Sequence, residues 1–262
     1  MDQGSFLETL EEPEESSKVK QLGPVIFSSG SLYIGTWLFK KRNGRGIYIW
    51  PNGSIYEGEF SENKTNGIGR FVHGSGQSYE GQWREDKMHG YGEYKNSIGS
   101  SYRGDWMNDL QHGTGVEVWD DGSKYEGKLF FFFFDELGEF EEGKKSGHGT
   151  FTFKDGNVYN GQFSKNNING TGIYKYTDGR VYTGDWKNGK KEGFGNFSWP
   201  DGRVYEGEYF DDKKNGYGKL QWPDGKRYEG NWYNGLQHGE GVMVDTFGIQ
   251  TQGFWNHGKK TR

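Results

Sequence analysis

A single spacing of 23 residues runs through this chain and limits what it can fold into. Tyrosines recur at that step from Tyr33 to Tyr125 and again from Tyr159 to Tyr228. If each repeat is numbered from its tyrosine as position 0, glycines recur at positions 2, 11, 13 and 20. Self-similarity at a fixed period is the signature of a repeat protein, in which each repeat packs against its neighbours.

The composition favours a thin aromatic core. Of the 262 residues, 31% are hydrophobic and the mean hydropathy is -1.02, but 18% are aromatic, which is too many for a disordered chain. No segment approaches the roughly 20 apolar residues that span a bilayer, and the N-terminus is acidic where a targeting peptide would be basic. We therefore expect a cytoplasmic protein. The chain has no cysteine, so disulfides and thiolate metal sites are excluded.

Aromatic residues alternate along two segments of each repeat. Tyr182 and Trp186 stand at positions 0 and 4, and Phe197 and Trp199 at positions 15 and 17. Even spacing is the period of a β-strand, so the rings of each segment share one face of a sheet. The turn residues Trp199 to Gly202 then join one hairpin to the next. The repeat is thus predicted to be a β-hairpin with aromatic rings packed over glycine.

These features predict an all-β fold. We expect an elongated, solenoid-like array of about ten 23-residue β-hairpin repeats in a single-layer antiparallel sheet. Residues 22–262 form the array, and its terminal strands have open edges that a partner or a second copy could pair with. Residues 1–21 are an acidic leader, predicted to be disordered or to form a short helix from the capping box of Ser5 and Glu8.

The spacing breaks once, between Tyr125 and Tyr159. The step there is 34 residues, and residues 125–135 are predicted to be an irregular inserted strand. This strand holds five consecutive phenylalanines, which put rings on both faces. They are Phe130, Phe131, Phe132, Phe133 and Phe134. Three interpretations stay open: a bulged strand that folds over its own groove, a docking strand and dimer seam that also includes Trp255, or a low-complexity run without a function.

The repeat resembles the MORN (membrane occupation and recognition nexus) repeat. The residues that carry the resemblance are Tyr-Glu-Gly-x-Trp, Gly-x-Gly and Asp-Gly, with Tyr56–Phe60 and Tyr228–Trp232 as close examples. The resemblance implies an antiparallel sheet curved into a groove. It also implies a scaffold or dimerisation module, as in radial-spoke heads of the axoneme and other cytoskeletal assemblies.

The tryptophans on the ring side of the sheet are the candidate partner groove. They are Trp37, Trp83, Trp106, Trp186 and Trp232 at position 4, and Trp50, Trp119, Trp199 and Trp222 at position 17. A bulky ring beside bare backbone leaves room for rings from neighbouring strands, and the groove that the resemblance implies would be lined by these rings.

Lysines at the hairpin tips form a second candidate surface. The members of this anion edge are Lys40, Lys41, Lys144, Lys145, Lys190, Lys191, Lys213 and Lys214. Such a stripe is suited to phosphoinositide headgroups, although lysines at sheet edges also prevent aggregation. The body of the chain is close to neutral, so nucleic acid is not an expected partner.

The resulting functional hypothesis is a non-enzymatic scaffold. It binds a protein partner in the aromatic groove and assembles through its terminal edge strands, as part of a multi-subunit ciliary, axonemal or other cytoskeletal complex or as a homodimer. The alternative is a peripheral membrane protein that binds phosphoinositides through the lysine edge. No catalytic motif, metal site or cofactor site is predicted, because the recurring acids and histidines fit a solvated face and turns.

Overall fold

The computed structural model describes residues 20–127 and 140–261. These residues form two compact units. Unit 1 comprises residues 20–121 and 140–143, and unit 2 comprises residues 122–127 and 144–261. No helix in the described part of the chain is long and apolar enough to cross a membrane.

Two of the sequence predictions fall outside the described residues. One is the leader over residues 1–19 with its short helix, whereas Lys20 and Gln21, the last two residues of the predicted leader, belong to the first strand. The other is the candidate docking strand or dimer seam formed by Phe130, Phe131, Phe132, Phe133 and Phe134. Both therefore stay predictions.

Twenty-three strands account for the regular structure of the described residues. The first nine are β1 Lys20–Ile26, β2 Leu32–Leu38, β3 Lys41–Ile49, β4 Ile55–Ser61, β5 Lys64–Val72, β6 Ser78–Arg84, β7 Lys87–Lys95, β8 Ser101–Met107 and β9 Leu110–Val118. The next seven are β10 Lys124–Gly127, β11 Phe140–Glu141, β12 Lys144–Lys145, β13 Gly147–Thr152, β14 Val158–Ser164, β15 Asn167–Lys175 and β16 Val181–Lys187. The last seven are β17 Lys190–Ser198, β18 Val204–Phe210, β19 Lys213–Gln221, β20 Arg227–Tyr233, β21 Leu236–Val244, β22 Gln250–Asn256 and β23 Lys259–Lys260.

Within each unit, successive long strands pair antiparallel. In unit 2, β16 pairs with β17 so that Tyr182 lies opposite Phe197 and Gly184 lies opposite Gly195. Residues directly opposite each other point to the same side of a sheet, so positions 0 and 15 share one side, called here the ring face. The all-β antiparallel hairpin array predicted from the 23-residue period is confirmed.

The two ends of each hairpin use different turns. At positions 6 and 7 both residues are left-handed, as in Glu62 with φ 53° and Asn63 with φ 71°, which is the two-residue turn that matches the twist of a hairpin. At the other end, Gly202 has φ 88° and its N–H donates to the Trp199 carbonyl at 3.0 Å. Asp201 closes this turn by accepting the Arg203 N–H at 3.1 Å, as its sequence predicts.

The paired glycines of the second strand have separate structural roles. Gly193 lies in a β-bulge with φ 95°, opposite Asp185, whose carboxylate accepts the Phe194 N–H at 2.8 Å. Gly195 lies beneath the Tyr182 ring, where an added Cβ would be 2.5 Å from the ring. The expectation of rings packed over bare glycine is therefore confirmed.

Tyr125 occupies a regular place in unit 2. It pairs with Phe151 in β13, as Tyr182 pairs with Phe197, so Tyr125 fills the position 0 that the sequence phase gives to Glu136. In unit 1, Phe140 pairs with Gly113 in the manner of a position 4 residue. Residues 125–127 of the expected inserted strand thus belong to a regular hairpin, and residues 128–135 lie outside the described part of the chain.

Candidate protein-binding surface

Tyrosines at position 0 and rings at position 4 form the core of each unit. Tyr182 is fully buried, and its ring meets Trp186 edge-on at 5.1 Å and Tyr209 at 5.2 Å between centroids. Its hydroxyl donates to the Asp185 carbonyl at 2.9 Å. Burial raises the pKa of position 0 tyrosines, as for Tyr33, whose pKa rises to about 12. These tyrosines are structural groups that remain protonated at neutral pH.

Most of the predicted position 4 tryptophans belong to this core. The exposed fraction of the residue is 3% for Trp37, 6% for Trp106 and Trp186, and 5% for Trp232. The indole N–H of Trp232 donates to the Gly218 carbonyl at 3.0 Å. These four rings therefore have little surface for a partner, because they already fill the spaces between neighbouring tyrosines.

The other two tryptophans at position 4 are Trp83 and Trp255. Trp83 is half-buried, and its indole N–H donates to the Gly69 carbonyl at 3.0 Å. Trp255, a member of the predicted dimer seam, is only 2% exposed and its ring centroid lies 4.9 Å from that of Tyr228. Its packing is thus the same as that of the other position 4 rings.

The half-buried surface of the ring face lies at positions 15 and 17. The predicted Trp50, Trp119, Trp199 and Trp222 all lie at position 17 and are half-buried. In unit 2 the rings of positions 15 and 17 form a continuous series, which we call the unit 2 ring row. Its members are Phe151, Phe153, Tyr174, Tyr176, Phe197 and Trp199.

Neighbouring rings of this row lie at contact distance. The centroid separation is 4.6 Å from Phe151 to Phe153, 5.5 Å on to Tyr174, and 4.5 Å from there to Tyr176. It is 5.9 Å from Tyr176 to Phe197 and 4.4 Å from Phe197 to Trp199. Phe197 is buried and the other five rings are half-buried. The row therefore offers apolar ring surface to a ligand.

Unit 1 has a similar series of rings. Phe27 lies 5.8 Å from Tyr48, Tyr48 lies 4.6 Å from Trp50, and Trp50 lies 5.6 Å from Phe71. The guanidinium of Arg42 covers the Tyr48 ring at 4.7 Å. The cation thus occupies part of the ring surface of unit 1.

Phe151, Phe153, Tyr174 and Tyr176 are surface rings that the sequence prediction missed, because it selected tryptophans alone. The signal that could have found them is their position, since each stands at 15 or 17 like Phe197 and Trp199. Position in the repeat is a better guide to the surface than residue type, because packing neighbours differ between positions 4 and 17.

The predicted lysine edge divides into two sets, apart from Lys40, which stands at position 7 in a hairpin turn with φ 55°. Position 8 lysines such as Lys190 lie at the rim, where Lys190 pairs with Asp211 and Lys41 pairs with Glu62. Lysines at position 9, which are Lys145, Lys191 and Lys214, lie over rings of the ring face. Acids of the next hairpin therefore neutralise part of the edge, which argues against a continuous stripe for anionic lipid.

Charged groups border the Trp199 end of the ring row. Arg180 lies 4.5 Å from the Tyr176 centroid and bonds the Asp178 carboxylate at 2.7 Å. Arg203 lies 5.2 Å from the Trp199 centroid and bonds Asp201 at 2.8 Å. The rings are thus flanked by cations that have carboxylate partners of their own.

Histidines and acids of the described residues form no group of three or more that could hold a metal ion. His89, His112 and His238 lie within strands β7, β9 and β21 rather than in turns. The Nδ1 atom of each is buried and has no hydrogen-bond partner among the described residues.

A family model described as MORN repeat matches nine segments of the chain. They are residues 33–55, 56–78, 79–101, 102–124, 137–158, 159–179, 182–202, 205–227 and 228–246. The comparison with curated proteins found no match.

Solved structures that the chain is similar to include the TCP10 domain of Danio rerio CPAP in complex with a peptide of Danio rerio STIL. The TM-score is 0.41 at 11% identity, over 94% of this chain and 99% of that chain. The CPAP G-box domain gives a TM-score of 0.42 at 12% identity, over 81% of this chain and 100% of that chain. These TM-scores are too low for the ligands of those proteins to be transferred to this chain.

Proposed function

The chain belongs to the MORN repeat family, and on that basis we propose that it is a non-enzymatic scaffold that binds an extended segment of a protein partner. The observation that carries the proposal is the unit 2 ring row. Its six rings are in contact along the series, and the five that are half-buried leave apolar ring surface exposed on the ring face. Aromatic rings provide large contact area at a low cost in side-chain entropy, which is why they are enriched in protein interfaces.

The size of the row indicates the kind of segment that fits. From Phe151 to Phe197 the row crosses two repeats of two strands each, which is about 20 Å at ~4.8 Å per strand. An extended chain covers that length with about six residues at ~3.3 Å per residue. The segment should carry apolar or proline side chains at alternate positions, so that they lie on the rings.

Assembly through an edge strand is a second part of the proposal. Along its outer side, β22 pairs with β23 at Trp255 and Asn256, and no strand of the described residues pairs with Gln250 to Gly253 there. A strand edge of this kind can accept another chain. A cytoskeletal or axonemal setting is also proposed, on the family resemblance. Co-localisation of the tagged protein with axonemal or cortical tubulin tests this setting.

A displayed library of random 12-residue peptides tests the binding surface. We expect peptides rich in aromatic, aliphatic and proline residues to be enriched on the wild-type protein. Trp199→Ala and Tyr176→Ala should each weaken the enriched peptides by about ten-fold, because they remove half-buried rings of the row. Binding is measured by fluorescence anisotropy, after circular dichroism has shown that each variant is folded.

Phe194→Ala is the matched control. Phe194 stands at position 12 on the opposite face of β17 and is 55% exposed. It is a ring of comparable size outside the row, so its removal should change affinity by less than two-fold. Failure to enrich apolar peptides, or equal binding to the wild type and the Trp199→Ala variant, would refute the proposed surface.

A further inference from the structure

Lys214 is an unusual cation on the ring face of unit 2. Its Nζ atom lies 4.2 Å from the Trp232 ring centroid, 5.1 Å from that of Tyr205 and 5.7 Å from that of Trp199. The side chain is half-buried. Among the residues that the structure describes, no carboxylate forms an ion pair with its ammonium group. Lys214 is therefore a partly desolvated cation held by ring faces alone.

The preceding repeat shows what is missing. Lys191 occupies the same position 9, also lies over rings, and its Nζ bonds the Asp212 carboxylate at 3.4 Å. Asp212 stands at position 7 of the next repeat, and its N–H donates to the Lys191 carbonyl at 3.1 Å. For Lys214 the equivalent residue is Gly235, whose N–H donates to the Lys214 carbonyl at 2.8 Å. The backbone arrangement is repeated, but the carboxylate is absent.

Placing the Lys214 ammonium in this partly buried site without a carboxylate costs electrostatic free energy, and this cost lowers its pKa. Burial, with a smaller contribution from the positive charge of Arg203, lowers the pKa of Lys214 from 10.5 to about 8. Ring faces offset part of the lost hydration, but a carboxylate at hydrogen-bonding distance would offset more. The site therefore favours the approach of an anion.

We propose that Lys214 binds a carboxylate of the partner segment, so that the ligand of the unit 2 ring row is an acidic, apolar peptide. The inference rests on the proposed function, because it identifies the chemistry of a partner of the same surface. The Lys214 ammonium lies beside Trp199, at the end of the row. The acidic residue should therefore lie within one or two residues of the apolar residue that covers Trp199, since an extended chain advances ~3.3 Å per residue.

A carboxylate matches this site better than a phosphate. Lys214 provides a single ammonium group, and the nearby Arg203 guanidinium already bonds the Asp201 carboxylate at 2.8 Å. A phosphate group carries nearly two negative charges and three acceptor oxygens, which call for several donors. One available cation next to apolar rings is suited to a single Asp or Glu side chain.

The peptide selection described above, extended to three variants, tests the assignment. Wild type should enrich peptides with an Asp or Glu among apolar residues. Lys214→Met should lose the acidic preference and keep the apolar one. Gly235→Asp should have the same effect, because the new carboxylate takes the place that Asp212 has beside Lys191. Lys191→Met is the control and should keep both preferences.

A synthetic peptide pair then gives the magnitude. For the most enriched acidic peptide, replacing its Glu by Gln should weaken binding to the wild type by about ten-fold, the usual size of a charge-assisted hydrogen bond, and to Lys214→Met by less than two-fold. Apolar peptides without acidic preference, or an acidic preference that Lys214→Met retains, would overturn the carboxylate site and leave the ring row standing. Enrichment of no apolar peptide would instead refute the proposed function itself.

Discussion

Substitution of Gly195 tests whether the recurring glycines make room for the rings of the core rather than make the backbone flexible. Gly195 lies in β17 opposite Gly184, and the Tyr182 ring covers it. A Cβ at Gly195 would lie 2.5 Å from Cε2 and Oη of Tyr182. Ordinary van der Waals contact requires about 3.5 Å or more, so the ring must move by roughly 1 Å. We therefore expect Gly195→Ala to destabilise unit 2.

The magnitude follows from what the displaced ring would lose. Tyr182 is fully buried, and its hydroxyl donates to the Asp185 carbonyl at 2.9 Å. Overpacking of a buried site costs about 1–3 kcal/mol. A weakened hydrogen bond adds about 1 kcal/mol. The free energy of unfolding should thus fall by about 2–4 kcal/mol.

Urea unfolding followed by tryptophan fluorescence measures this loss. Gly23→Ala is the control in unit 1, because Gly23 lies at an irregularity of β1 where an added Cβ would meet nothing within 4 Å. At such a site alanine is neutral or stabilises by about 0.4–1 kcal/mol, through the unfolded chain. Circular dichroism at each urea concentration checks that both probes report the same transition.

Two results would contradict the packing argument. A loss of less than about 0.5 kcal/mol for Gly195→Ala would mean that the Tyr182 ring can move without cost, against the close packing of protein interiors. An equal loss for Gly23→Ala would mean that any methyl group in a strand of this array is destabilising, whatever it touches.

Three further predictions concern the rings and the charges. Trp186→Ala should cost about 3–5 kcal/mol because its ring is buried. Trp199→Ala removes a half-buried ring 4.4 Å from Phe197, so it should cost clearly less stability while weakening peptide binding. Burial raises the pKa of Tyr33 and Tyr228 from 10.0 to about 12, so the urea midpoint should fall as the pH rises from 10 towards 12, where only the unfolded tyrosines ionise readily. The pKa of Lys214 is about 8 in the folded protein and 10.5 in the unfolded chain, so charging Lys214 costs the folded state most below pH 8. Lys214→Met should therefore raise the urea midpoint at pH 7, and the gain should become smaller by pH 10.

The hairpin array could be predicted from the sequence because the same two constraints recur in every repeat. Even spacing of Tyr182, Trp186, Phe197 and Trp199 requires strands with one ring face, and the glycines provide the space for the rings. Tertiary context does not override this pattern, since each repeat meets another copy of itself. The pairing register therefore follows from the period.

The breaks in the pattern were harder to interpret from sequence. Asn96 and Asp245 replace rings at position 17, and each accepts two backbone N–H groups of its own turn, at 2.8 and 3.1 Å for Asn96 and at 2.9 Å for both in the case of Asp245. Their repeats have Ile98 and Phe247 where most other repeats have the Asn or Asp that closes the turn. Asn96 and Asp245 therefore close turns that lack the usual Asn or Asp, and the 23-residue spacing alone could not reveal this role.

The insertion and the binding surface depend on three-dimensional neighbours. The phase of the following glycines assigns position 0 of the hairpin that contains β13 to Glu136, which is wrong, because the strand pairing gives this position to Tyr125. Likewise, the alternation pattern places both Trp186 and Trp199 on the ring face and does not say which of them is buried. Trp186 lies between Tyr159 and Tyr182, at 5.4 and 5.1 Å, and is buried, whereas Trp199 remains half-buried.

Partner selectivity in such an array must arise at places that packing leaves free to vary. Positions 0, 2 and 13 are tied together by the tyrosine–glycine contact, so the repeats that have a tyrosine at position 0 share this part of the core. Position 9 faces the rings and differs between repeats, with Thr65, Met88, Ile168 and Lys214 among its occupants. Lys191 and Lys214 are identical residues in the same place, yet one has an acid from the next hairpin and the other does not. The residue at position 7 of the following repeat therefore decides whether a position 9 cation is part of the scaffold or is available to a ligand.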